Sequence, residues 1–369
     1  MRNIRLSDHS IYIEDIWSNF KDLIENYDHI VVLTDINSRA YCLKEFEMLS
    51  ELKKFDIITI PTPEQQEKEG TTGENLSVYY IEQFKNQDSC SKIFDRLLEC
   101  GADRHSLLIN LGGGVICDMG GYCASVFMRG MDFIHFPTTL LSQVDASVGG
   151  KLGINYRGYK NMVGLFRNPI GVFIHDKFLE SLPERELRSG FAEIVKHALT
   201  LNYNLWEQLK EMEDIEISNL LPLIEKSIII KKQIVQTDPT ETGKRKVLNF
   251  GHTLGHALET SFLKKGEPIT HGEAVAAGMA MECYLSMLHY RHDEDWLASI
   301  LVVLKRFFPK IDIGDKMVLD LLQLIRVDKK NKAGVPHFTF LIDIGNVEYD
   351  QIARAKDIRA AVEYYRKNY

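Results

Sequence analysis

In the first half of the chain, short β-branched runs alternate with amphipathic segments, and that alternation restricts the fold more than any other feature. Ile30–Asp35 (Ile-Val-Val-Leu-Thr-Asp), Asp56–Pro61 and Ser106–Leu111 read as buried strands, and Phe133–Phe136, Gly153–Tyr156 and Gly171–Ile174 as further ones. Strands separated by helical patterns predict a mainly parallel α/β sheet. The third strand runs directly into Gly112-Gly113-Gly114, and the helical pattern starts at once. Such a turn has two readings. It is a tight turn, or it lets backbone N–H groups and a helix dipole approach a phosphate, as in dinucleotide-binding folds. Asp35, at a strand end, is either an exposed aspartate or the acid that holds a ribose hydroxyl.

A glycine-rich polar stretch follows, from Met128 to Gly164, with Asp145-Ala-Ser-Val-Gly-Gly-Lys151 and Lys160-Asn161. Lys151 lacks the first glycine of a nucleotide P-loop, so that reading is poor. Loops of this composition carry function or a subunit contact.

Beyond about Asp176 the pattern becomes helical, which predicts two domains, 1–176 and 177–369, the first a dinucleotide-type α/β domain and the second all-α. Helices are expected over 183–202, 219–237 (with Ser218 as N-cap), 274–290, 296–308 and 351–365, with a hairpin-like piece at 337–342. A cleft between domains is the default place for an active site. Glu193, Lys196 and His197 share a helical face; they form a surface ion pair, or a metal ligand beside a catalytic cation.

His252 and His256, four apart, share another face, and His271 opens the next helix. Thr270 and Glu273 have the spacing of a capping box. Three imidazoles, or two and a carboxylate, suit a divalent metal with an open position; the competing reading has one histidine capping a helix or packing in the core. Thr253 stands where a zinc protease would carry its general base.

Composition narrows the classes. Hydrophobic content of 45% and charged content of 26% are those of a globular protein, and a net charge of −8 argues against a general nucleic-acid surface. No apolar run is long enough to span a bilayer, and the first residues lack a signal peptide's apolar region, so a cytoplasmic location is expected. The six scattered cysteines, without Cys-x-x-Cys, read as reduced thiols.

With these residues in view, the chain resembles the 3-dehydroquinate synthases, sugar-phosphate cyclases of the shikimate pathway of aromatic amino acid biosynthesis. The resemblance is carried by Gly-Gly-Gly-Val-x-x-Asp118, Met-Arg129-Gly, Pro-Thr138-Thr139-Leu-Leu-x-Gln-Val-Asp145-x-Ser-Val-Gly-Gly-Lys151 and Gly-x-Lys160-Asn161. It continues through Ala-Glu193-x-Val-Lys196, Leu-Asn249-Phe-Gly-His252-Thr-x-Gly-His256-Ala, His271-Gly-Glu and Asp328-Lys-Lys. It implies an NAD-binding α/β domain, a helical domain, one divalent metal (zinc, or cobalt) and a homodimer. The implied reaction turns 3-deoxy-D-arabino-heptulosonate 7-phosphate into 3-dehydroquinate and phosphate, as a lyase that borrows and returns a hydride. By resemblance, Glu193, His252 and His271 match metal ligands. Asp145, Lys151, Asn161, Lys196, Lys231, Arg245, Asn249, His256 and Lys329 match catalytic or substrate-contacting positions. Arg129 matches an arginine that reaches the partner's site. Asp35, Asn37, Glu74, Gly113, Gly114, Asp118, Thr138, Thr139, Lys151 and Lys160 match NAD-binding positions. The family's lysine three residues after Gly-Glu is Ser77 here, and His197 replaces a residue that is often tyrosine or threonine. Alternatives are a cyclase for a sugar phosphate lacking a carboxylate, and a metal-dependent polyol dehydrogenase.

Overall fold

The computed structural model describes residues 3–6, 9–13, 15–62, 65, 78–157, 159–326 and 336–369. Contacts divide the chain into two compact units, Met1–Leu187 and Arg188–Tyr369.

In the first unit a seven-stranded sheet has the order β1 (Asn3–Arg5), β2 (Ser10–Tyr12), β9 (Gly171–Phe173), β6 (Asp132–Pro137), β5 (Leu107–Gly112), β3 (Ile30–Asp35), β4 (Asp56–Ile60). From β2 to β4 every neighbouring pair is parallel, and β1 alone runs against its neighbour. Strands buried on both faces must be apolar throughout rather than alternating, and β3 is buried along its length. Its side chains divide by the two-residue period. Val31 and Leu33 pack on one face against α5 (Gln87–Glu99) and α6 (Gly114–Val126). Ile30 and Val32 pack on the other against α1 (Ile16–Ile24) and α3 (Leu43–Ser50). Between these lie α2 (Ile36–Tyr41) and α4 (Val78–Gln83).

Gly153–Tyr156, expected in this sheet, belongs to β7 (Lys151–Tyr156), which pairs antiparallel with β8 (Tyr159–Phe166) in a separate hairpin. The hairpin's Leu152 and Ile154 cover one face of the sheet's core, which is why the run looked like a sheet strand.

The second unit is mostly helical. It contains α7 (Glu184–Leu201, from Arg188 on), α8 (Tyr203–Lys210), α9 (Leu220–Thr237), α10 (His252–Lys265), α11 (His271–Tyr290), α12 (Glu294–Phe307), α13 (Asp315–Arg326) and α14 (Ala355–Asn368). It is not all-α: β10 (Phe338–Asp343) and β11 (Asn346–Gln351) form a hairpin, so Gln351 ends a strand rather than opening a helix. The N-cap of α9 is Asn219, not Ser218, because a 3₁₀ turn over Ile217–Asn219 shifts the start. Among the described residues no helix is long and apolar enough to cross a membrane.

Helices α10 and α11 approach through glycine. A Cβ on Gly278 would lie 1.9 Å from the Gly251 carbonyl oxygen, and one on Gly255 would lie 3.0 Å from that of Ala274. Backbone therefore meets backbone along the seam that brings the start of α10 to α11. Replacing Gly278 by Ala is expected to cost about 1–3 kcal/mol by forcing the helices apart. Gly314, with nothing within 4 Å of its virtual Cβ, is the control. Thermal melts should show a lowered midpoint for Gly278→Ala and little change for Gly314→Ala; equal midpoints would contradict the close contact.

Candidate active site

The strongest constraint in the second unit is Glu193, whose side chain is fully buried in α7. A buried carboxylate costs several kcal/mol unless compensated. Lys196, one turn on and only 1% exposed, contacts Glu193 Oε2. Of the two readings of this face, the surface ion pair is ruled out: α7 is buried from Ser189 to Thr200, and no solvated face is left for these charges. His197 stays near this carboxylate, with a ring nitrogen within 4.8 Å of it, and its Nδ1 lies 2.6 Å from Ser227 Oγ.

Two imidazoles reach the same carboxylate. His252 Nε2 lies 3.6 Å and His271 Nε2 3.4 Å from Glu193 Oε1. Packing explains the second approach. The Gly272 N–H donates to Ser189 Oγ at 3.0 Å, and a Cβ at Gly272 would lie 2.2 Å from the Ser189 carbonyl oxygen. Glu193 is four residues beyond Ser189 on the same face of α7, so the close start of α11 delivers His271 to it. The Thr270–Glu273 capping box is formed as expected and fixes that start, with both reciprocal hydrogen bonds present. His252 is the first residue of α10, after Gly251 at φ 77°. The Gly251 N–H donates to Glu282 Oε2 at 2.9 Å from within α11.

Each imidazole is also held from behind. The Phe250 carbonyl can only accept, so His252 Nδ1–H donates to it at 3.0 Å and leaves the Nε2 lone pair toward Glu193. His271 Nδ1 lies 3.8 Å from Glu259 Oε2. Burial disfavours a charged His271, but hydrogen bonds and charges from Glu193 and Glu259 outweigh it and push its pKa up to about 9. The three donor atoms lie within 4.8 Å of one another. Tetrahedral N and O ligands at about 2.0–2.2 Å from a cation are about 3.3–3.6 Å apart, and both measured separations from Glu193 Oε1 fit. One carboxylate, two oriented imidazoles and partners behind them form a donor set suited to zinc or cobalt.

His256 is not one of these donors. Its ring centroid is 5.2 Å from that of His252 and 6.0 Å from that of His271, at the edge of the cluster. Lys231 and Arg245 are buried cations. Arg245 Nη1 donates to the Pro239 carbonyl at 2.6 Å, and Asn249 Nδ2 donates to Glu241 Oε1 at 2.8 Å, and both contacts brace the 238–249 loop. Asp238 anchors that loop by accepting the N–H groups of Thr242, Gly243 and Arg245. Burial opposes its charge, yet these three donors hold its pKa down at about 2.

In the first unit, parallel register brings the strand ends to one edge. Thr34 pairs with Leu111 and Gly112 with Pro137, so Asp35, Gly113-Gly114 and Thr138-Thr139 follow side by side. Asp35 is buried rather than exposed. Its Oδ1 accepts the N–H groups of Asn37 and Ser38 and caps α2. Burial raises its pKa against those bonds. Gly113 is the N-cap of α6, where a Cβ would be 3.0 Å from Thr139 Cγ2. The Thr138 N–H donates to the Gly112 carbonyl at 3.0 Å. Asp145 lies in a π-helical turn, Ser142–Ala146. Lys151 and Lys160 lie exposed on the hairpin. Arg129 is exposed at φ 69°, between Met128 at 46° and Gly130 at 120°, a run of left-handed backbone. Glu74, Ser77 and Lys329 lie outside the described residues.

Sequence reasoning missed Lys85. Its ammonium, 4% exposed, donates to Asp118 Oδ2 at 2.6 Å and to Asn161 Oδ1 at 2.7 Å. Asn161 adopts φ 50°, a conformation asparagine tolerates. Burial opposes the charge on Lys85, but Asp118 and Glu82 hold its pKa above the ordinary lysine value. The signal was present: Glu82-Gln-Phe-Lys85 repeats the Glu-x-x-Lys spacing sought at Glu74. Glu259, three residues after His256 on α10, was likewise overlooked.

The 3-dehydroquinate synthase N-terminal and C-terminal family profiles match residues 75–189 and 190–331. The chain is 35% identical over 363 residues to a 3-dehydroquinate synthase of Parabacteroides distasonis, covering 97% of this chain and 98% of that one. It is 43% identical over 275 residues to one of Bacillus mycoides, covering 73% and 75%. A solved 2-deoxy-scyllo-inosose synthase, complexed with carbaglucose-6-phosphate, NAD+ and Co2+, has a TM-score of 0.81 at 21% identity over 99% of both chains. A 2-epi-5-epi-valiolone synthase from Streptomyces hygroscopicus, with NAD+ and Zn2+ bound, has a TM-score of 0.77 at 21% identity over 99% and 98%. At that identity the likeness establishes the fold, whereas the profiles and the near full-length relative go further: the chain belongs to the 3-dehydroquinate synthase family.

Proposed function

We propose that this chain is a 3-dehydroquinate synthase, converting 3-deoxy-D-arabino-heptulosonate 7-phosphate to 3-dehydroquinate and phosphate. The observation that carries the reading is the buried Glu193–His252–His271 cluster, with donor spacing suited to a divalent cation, in a chain of this family. We assign zinc, with cobalt as a substitute, to that cluster and NAD to the first unit. Both assignments agree with the ligands of the two solved cyclases. When bound, the cation supplies a Lewis acid to a hydroxyl and to the ketone formed from it, and NAD takes and returns the hydride.

The chain's own residues bind, orient and move protons. Lys151, Lys231, Arg245 and Lys329 neutralise the substrate's phosphate and carboxylate, with Arg129 contributed from a second copy of the chain. Arginine suits a carboxylate bidentately, and lysine meets phosphate as a point charge. Asn161 and Asn249 hold hydroxyls, and Asp145 joins this set on its motif. Lys196 keeps an ammonium against Glu193, and His256 relays a proton beside the three donors. Burial of Lys196, Lys231 and Arg245 keeps these charges in a low dielectric, where each acts more strongly than in water.

Asp35, Asn37, Gly113, Gly114, Asp118, Thr138, Thr139, Lys151 and Lys160 are the proposed NAD contacts, with Glu74 retained from the motif. Lys85, fixed by Asp118 and Asn161, takes the part of the lysine that Ser77 does not supply. A homodimer is supported by exposed apolar side chains beside Arg129 in sequence, Val126 and Met128, and on the β7–β8 hairpin, Tyr156, Tyr159, Met162 and Phe166.

The reading is tested by incubating the protein with the heptulosonate phosphate, NAD and zinc. Phosphate should appear one for one with 3-dehydroquinate, with no net growth in nicotinamide absorbance. Accumulating NADH would mark a polyol dehydrogenase, and preference for a sugar phosphate lacking the carboxylate would mark another cyclase. Glu193→Gln and His252→Ala should lose metal and activity together, by more than the roughly 10–100-fold in affinity that loss of an outer-shell partner costs. Full metal occupancy in both variants would sink the ligand assignment. Lys85→Met should weaken NAD binding about tenfold, or about 1.4 kcal/mol, at unchanged metal content; unaltered NAD affinity would remove Lys85 from the cofactor contacts.

A further inference from the structure

At the opposite end of the first unit's parallel strands, three metal-binding side chains converge that the proposed chemistry does not use. His29 precedes β3, Asp56 opens β4, and Cys100 follows α5. Their donor atoms lie within 4.8 Å of one another. His29 Nε2 is 2.9 Å from Asp56 Oδ2. The Cys100 thiol donates to the Leu97 carbonyl, with sulfur and oxygen 3.4 Å apart. Five of the six thiols are buried, and Cys100 alone is partly open to solvent.

We propose that His29, Asp56 and Cys100 form a second metal site, selective for a borderline cation such as zinc, separate from the Glu193 cluster. Imidazole, carboxylate and thiolate together select zinc, cobalt or cadmium over magnesium or calcium, which take oxygen ligands. Three protein donors leave a fourth position for water. His29 is fixed from behind. The Leu107 N–H donates to its carbonyl at 3.0 Å, and Ser106 Oγ lies 3.5 Å from its Nδ1 while donating to Asp103 Oδ1. That arrangement turns Nε2 outward to the other two donors. Thiolate and imidazole ligands of zinc, at about 2.3 and 2.0 Å, stand about 3.5 Å apart. The 2.9 Å His29–Asp56 contact must therefore open by about 0.5 Å to admit a cation, and the Asp56 side chain, 52% exposed, leaves room for that shift. Binding replaces the Cys100 thiol proton and any Nε2 proton of His29, and both pass to solvent. Six residues of β3 separate this end from Asp35, about 20 Å along the strand, so the site is not expected to alter basal turnover.

The test is a titration of the metal-stripped, reduced, full-length protein with Co2+ alone. Two equivalents should bind, one of them with a thiolate-to-cobalt charge-transfer band in the near ultraviolet, a signature the Glu193 cluster has no thiolate to give. Cys100→Ser and His29→Ala should each abolish the band and one equivalent, with unchanged circular dichroism and basal activity. Glu193→Gln should keep the band, which separates failure of this site from failure of the proposed active site. Absence of the band in the parent protein, or its survival in Cys100→Ser or His29→Ala, would overturn the assignment and leave His29–Asp56 as an ion pair between strand starts.

Discussion

A carboxylate with no access to water organises the second unit. Glu193 can be ionised in its buried position only because Lys196 contacts one oxygen and two imidazoles stand 3.4 and 3.6 Å from the other. Those neighbours come from three helices, so the helix packing and the electrostatics are one problem. The glycine seam of α10 and α11, and the contact of Gly272 with Ser189, set separations that side chains elsewhere could not correct. Lys196 and Glu193 neutralise each other, and a divalent cation would add charge facing an anionic substrate. The same group thus serves cohesion and the proposed chemistry.

The first unit solves a different problem by parallel register. Five parallel pairings put the C-terminal ends of β3, β5 and β6 level, so a capping aspartate, a glycine turn and two threonines share one edge without long loops to carry them. The Lys85–Asp118 pair ties the loop before α5 to the first turns of α6, and Asn161 of the hairpin joins it. A buried ammonium with two oxygen partners is rigid. It also pays for its desolvation through Asp118, so the cluster orders the very segment on which a dinucleotide is proposed to rest.

Much of this was legible in the residues. β3 falls where its composition places it, and the Thr270–Glu273 box forms because threonine three before glutamate has few better uses at a helix start. Other features were hidden for identifiable reasons. The three-residue strands β1 and β2 are too short to show a period. β7 reads as a central strand because its inward face enters the same core. The spacing of Glu193 and Lys196 left a surface pair and a metal ligand beside a cation both open, because it reveals a shared face but not what covers it. Lys85 stood in a motif already assigned to another glutamate, and only the fold shows it beside Asp118. Glu259 stands behind His271, and Glu282 holds the Gly251 N–H that precedes His252, across distances in sequence that spacing rules do not span.

The central claim, that Glu193, His252 and His271 hold one cation, is tested most directly by anomalous scattering at the zinc edge from crystals of the zinc-loaded protein. The account predicts a peak about 2.0–2.2 Å from a Glu193 oxygen and from Nε2 of both histidines. A zinc peak absent from that cluster, or bound there by a different set of side chains, would contradict it.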